Sequence, residues 1–209
     1  MSPRRTGRVL APLALLLVLA APVRAETAAP VLSCTGPLGP DASHAGLVAA
    51  YGAANVAWRE VDGAEGEKIH ASIVFPDDPK RRLELFWFDE KKRTGLASIR
   101  PARDNRVAAQ NGLAPGLTLA QVEKLNGGPF SLSGFQWDYG GFVGDWQGGA
   151  LSKPAAGGCL VTVRFTLPET TPDAVASAVA GDRTFSSTDP KMRAAKPIVD
   201  EIAFGYPAR

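Results

Sequence analysis

The sequence predicts an α+β fold of two related units, each a short helical segment packed on an antiparallel β-meander. Three observations carry this expectation. Capped helical segments occur at 43–52 and again at 118–127. Each is followed by runs that alternate apolar and polar residues with a period of two. Laying Val122 on Val48, 74 positions apart, also puts Leu125 on Tyr51, Asn126 on Gly52 and Phe130 on Val56. The 209 residues, 45% of them hydrophobic and 21% charged, suffice for a core and exclude a disordered chain. The 22 Gly and 17 Pro follow no period, which excludes collagen and coiled coil.

Residues 1–25 read as a secretory signal peptide. Arg4, Arg5 and Arg8 form a basic start, 9–21 is nearly all apolar, and Val23-Arg24-Ala25 offers a cleavage site after Ala25. The apolar run is shorter than the roughly 18 to 20 residues that span a bilayer, so no transmembrane segment is expected after cleavage. The expected location is the periplasm or the exterior. Cleavage also changes the electrostatics. Of 23 Lys plus Arg, losing Arg4, Arg5, Arg8 and Arg24 leaves 19 against 21 Asp plus Glu, so the precursor's +2 becomes −2. That balance removes the case for a nucleic-acid partner.

The first unit, 26–103, opens with a Pro/Gly-rich stretch. Asp41 or Ser43 then caps a helix carrying Leu47, Val48 and Tyr51, which Gly52 stops. Strands follow over 55–60, 68–75, 83–88 and 96–99, separated by the turns at 76–79 and 89–95. The second unit, 104–168, begins with a polar connector. Thr118 and Gln121 form a capping box, with Leu119, Val122 and Leu125 on one helical face. Strands are expected at 130–132, 135–139 and 159–167. The remainder, 169–209, predicts helices over 172–180 and 189–195 and a closing strand over 198–206 that pairs with either sheet.

Two cysteines in an exported chain predict one disulfide, Cys34 to Cys159. The competing reading takes Val31-Leu32-Ser33-Cys34 as a lipidation box, from which the polar 26–30 stretch separates the apolar run.

The aromatic and glycine-rich stretch 135–149 supplies the candidate binding residues Trp137, Asp138, Tyr139, Phe142, Asp145 and Trp146. Aromatic faces beside carboxylates suit a protein interface or a sugar platform, whereas strand alternation of Phe135, Trp137 and Tyr139 would make them core. Asp138 and Asp145 are the one carboxylate pair in an unusual setting, compatible with a glycosidase-like site but forming no recognisable motif. His44 and His70 lie far apart and are expected in solvated positions. No metal-ligand spacing, no nucleophile elbow and no cofactor motif is present, so no catalytic residue, metal or cofactor is assigned. The triplets Lys80-Arg81-Arg82 and Lys91-Lys92-Arg93 read as solubilising loop charges.

The run from Gly116 through Thr118, Val122, Leu125 and Gly127 to Pro129 resembles the G-[ML]-[ST]-x-x-x-V-x-x-L-x-G-x-P signature of the BamE/SmpA outer-membrane assembly lipoproteins. It is also similar to the tandem-repeat β-lactamase inhibitory proteins. The resemblance implies helical segments packed on antiparallel sheets in two adjacent units, and a protein-binding module. The chain departs from the lipoproteins at the acylation site. The stretch 135–149 is similar to one in uncharacterised secreted bacterial proteins and implies no activity. The resulting expectation is a non-enzymatic envelope module that binds an envelope protein, with cell-wall glycan binding or hydrolysis through 135–149 as the alternative.

Overall fold

A computed structural model describes residues 29–63 and 66–208; the expected signal peptide lies outside the described residues. The chain begins with β1 (Val31–Leu32), which later pairs in parallel with β6 (Ala108–Ala109). Helix α1 (His44–Tyr51) starts where the Ser43 hydroxyl accepts the Gly46 N–H, and ends at Gly52. Four antiparallel strands follow, β2 (Val56–Asp62), β3 (Lys68–Val74), β4 (Leu83–Asp89) and β5 (Thr94–Pro101). Helix α2 (Leu119–Asn126) carries the reciprocal Thr118–Gln121 capping box and stops at Gly127, whose φ of 79° only glycine adopts readily.

After α2 come β7 (Ser131–Ser133), β8 (Val143–Asp145) and β9 (Leu160–Thr166). Then follow α3 (Asp173–Ala178), β10 (Thr184–Ser186), α4 (Pro190–Ala195) and β11 (Ile198–Gly205). The main sheet has the order β2-β3-β4-β5-β11-β9, and a smaller one the order β10-β7-β8. The fold is thus mixed α and β with mostly antiparallel sheets. The closing strand joins the first meander by inserting between β5 and β9. An antiparallel bridge from Phe142 to Arg164 ties the small sheet to the outer side of β9.

One expected strand does not form. Over 135–139 the Phe135 N–H and C=O bond across to Val179 and Gly181, and Gln136 sits at φ 63°, outside the extended region. The chain turns there because Gly141, at φ 79°, must lie against the Phe165 carbonyl, where a Cβ would collide.

Alternation along the strands gives the main sheet two unlike faces. Leu85, Trp87, Ile99, Val163, Phe165, Ile202 and Phe204 face Leu47, Val122, Phe130 and Met192 in one continuous core. Val61, Ala71, Ile73 and Phe86 form a smaller cluster on the other side. The Cys34–Cys159 disulfide closes a 125-residue separation with its Cα atoms 6.0 Å apart, and both residues are buried. Tyr206 donates its hydroxyl to the carbonyls of Leu38 and Cys34, at 2.5 and 3.1 Å, and burial pushes its pKa up to about 12.

Two registers repeat. Leu83, Leu85 and Trp87 stand opposite Pro101, Ile99 and Leu96; Val161, Val163 and Phe165 stand opposite Phe204, Ile202 and Val199. Each ladder is interrupted by a bulge next to its Leu96 or Val199 end, and each final strand buries its residues in the same sequence. The helix caps behave alike: Ser43 bridges Thr94 at the start of β5, and Thr118 bridges Ile198 at the start of β11. These caps stand 75 positions apart, one more than the spacing of 74 read from the sequence.

Candidate functional site

The six aromatic and acidic residues of 135–149 do not converge on one site. Trp137 is half-buried, donates its indole N–H to the Gly134 carbonyl at 2.9 Å, and meets the Tyr139 ring edge-on at 5.5 Å. Tyr139 is 56% exposed, and Asp138 beside it is exposed. Phe142 lies under the Arg164 guanidinium, 5.1 Å from the ring centre. Trp146 belongs to the core margin: its ring packs on Phe130 at 5.3 Å, and its carbonyl accepts from the Asn126 amide at 3.0 Å. Asp145 accepts the Gln147 backbone N–H at 2.7 Å and so fixes its own turn. Trp137 lines a hollow of about 390 Å³, whereas Asp145 and Trp146 line another of about 280 Å³. Asp138 lines neither, so the two carboxylates do not share a hollow.

The Trp137 hollow instead continues into a larger one. Arg103, Arg164 and Asp200 line both it and a depression of about 510 Å³ on the sheet face opposite the helices. At the centre of that depression is Glu84, 9% exposed. Its carboxylate accepts from Arg82 at 2.7 Å on one oxygen and from Arg100 Nε at 2.8 Å on the other. Arg100 also donates to the Asp62 carbonyl at 2.7 Å and lies 5.1 Å over the Phe86 ring. Arg103 faces Asp200 at 3.7 Å with its side chain 83% exposed. Arg164 donates Nε to the Gly140 carbonyl at 3.0 Å and has no carboxylate partner among the described residues.

This groove holds guanidiniums and carboxylates in near balance, with Trp137 at one end. It suits a partner surface of mixed charge and hydrogen-bonding character. Sequence reading missed it. Arg82 reads as part of a solubilising triplet, and Glu84 and Arg100 sit on neighbouring strands sixteen positions apart. The outward alternation of Glu84 and Phe86 along β4 is the local sign of this open face.

His44 also differs from expectation, whereas His70 is solvated as expected. His44 is half-buried, with Nδ1 2.8 Å from the Ser72 hydroxyl. His70 is exposed but stacks on Trp58 at 5.4 Å, with Glu90 3.7 Å away. Among the described residues no group of three or more His, Cys, Asp or Glu gathers to hold a metal ion. No described helix is long and apolar enough to cross a membrane. No protein-family model, curated protein or solved structure matches this chain.

Proposed function

We propose that this protein is a non-enzymatic binding module of the cell envelope, periplasmic or secreted, that docks another protein on the open face of its main sheet. One observation carries the reading: the connected groove from Glu84 through Arg164 to Trp137, on the face opposite the described helices. Its guanidiniums and the half-buried Trp137 are residue types that dominate protein-interface energetics. The 1–25 segment and the Cys34–Cys159 bridge favour an oxidising compartment. Two related units also fit this reading. The first runs from α1 to β5 and the second from α2 through β9 to β11, beyond position 168, with α3, β10 and α4 inserted. The repeated registers and the cap-to-strand bridges support that pairing, and β5 with β11 forms the seam.

The test is site-specific photo-crosslinking in cells. A crosslinker at Thr162, on the open face, is expected to capture one discrete protein partner, and one at Ala49, on the exposed side of α1, to capture none. Capture lost with Arg164→Glu strengthens the assignment; equal labelling at both positions sinks it. Sedimentation with peptidoglycan provides the contrast. Retention that disappears in Trp137→Ala would replace the protein partner by a cell-wall glycan.

A further inference from the structure

The layer between α1 and the sheet is chemically unlike the matching layer under α2. By the repeated register Trp87 corresponds to Phe165, and by the caps His44 corresponds to Leu119. Leu119, Leu132 and Phe165 are buried hydrocarbon. On the α1 side the Trp87 indole N–H donates to Ser72 Oγ at 2.9 Å, and that oxygen lies 2.8 Å from His44 Nδ1. Ser72 is fully buried, and its hydroxyl meets no other hydrogen-bonding group among the described residues. With the indole donating, the single hydroxyl proton is directed at His44, whose Nδ1 accepts it only while the imidazole is neutral. Protonation would place a proton on Nδ1. Ser72 would then receive two donors, and its own proton would be left inside the protein without an acceptor.

We propose that His44 is a pH-sensitive latch, holding the first turn of α1 against the sheet while its ring is neutral and releasing that turn when the ring is protonated. The groups around it oppose the charged form. Arg93, from the β4–β5 turn, lies 4.7 Å over the Trp58 ring, and that ring meets His44 at 6.2 Å. From α1 itself, His44 is the first helical residue, at the positive end of the helix dipole. From β3 come Ser72 and His70, and from β4 Trp87. Glu90 approaches His70 at 3.7 Å, and Glu60 stands opposite His70 on β2.

Burial first, and Arg93 second, hold His44 below its usual 6.5. A folded pKa below the unfolded one gives a contribution that is whole above pH 6.5 and is lost as pH falls from 6.5 toward the folded value. The latch spans a weakly held element, since Leu47 is the one fully buried residue of α1.

Hydrogen exchange of the disulfide-bonded protein between pH 7.5 and 5, corrected for intrinsic rates, tests this with α2 as internal reference. Opening of α1 is expected to rise by up to about tenfold per pH unit below 6.5, with α2 unchanged. His44→Leu, the residue found at the matching place in α2, should abolish the response, and His70→Gln should keep it. Equal responses of α1 and α2, or a response that survives His44→Leu, overturns the latch. Should the leucine variant fold poorly, the nuclear magnetic resonance titration of the His44 ring decides, because a midpoint at or above 6.5 also overturns it. The comparison with α2 rests on the two-unit reading; the titration does not.

Discussion

Glu84 shows what a single side chain does here. Its carboxylate pairs with both the Arg82 and Arg100 guanidiniums, so Glu84→Ala leaves two half-buried cations without it. Fully buried pairs lose about 3 to 5 kcal/mol when one partner goes. Arg82 and Arg100 keep some water contact, so a loss of about 2 to 3 kcal/mol is expected in urea unfolding at neutral pH. None of this was legible from residue types, because the three charges come from a turn, β4 and β5 and meet only through strand pairing. His44 was hidden for the same reason: its partner Ser72 is 28 positions away and reads as an ordinary strand residue. The disulfide was legible, because two cysteines in one chain leave a single intramolecular pairing.

Helices and turns are decided by short-range chemistry, and there the sequence was informative. Ser43, Thr118, Gln121, Gly52 and Gly127 mark the ends of α1 and α2 as they stand. Thr118→Ala removes the side-chain half of a capping box and should cost about 1 kcal/mol, read as a lower urea midpoint at unchanged slope. The first meander was equally readable, since β2 to β5 form close to the runs that the residue pattern marks. The stretch 135–139 was not. Its alternation of Phe135, Trp137 and Tyr139 is genuine, but the docking of Gly141 on β9 overrides it, a long-range constraint that leaves no mark nearby. Gly141→Ala is therefore expected to part the small sheet from β9. The Phe165 N–H, which donates to the Gly141 carbonyl at 2.8 Å, should lose exchange protection while β3 and β4 keep theirs.

At the scale of the whole molecule the disulfide and β11 join what the chain order separates. Replacing Cys34 and Cys159 together by Ser frees a 125-residue loop, and chain entropy alone puts the loss at about 5 kcal/mol. The check is calorimetry of both forms, with the bond-free protein melting far lower. The class of the fold and the existence of a terminal strand followed from pattern. Its position did not, because β11 is apolar on one side and suits an edge or a centre equally. That position governs how the molecule comes into being. Among the described strands β11 is last in sequence yet lies inside the sheet, between β5 and the edge strand β9, so a chain emerging N-terminus first holds β5 and β9 with bare inner edges until it arrives. Assembly must wait for nearly the whole polypeptide, and contacts of such long separation form slowly. Under the envelope location proposed above, this delay is an advantage, since a polypeptide that does not finish folding early stays threadable. A version ending before Ile198 should accumulate as aggregate rather than as a smaller folded protein, and fractionation of soluble from insoluble material would decide it.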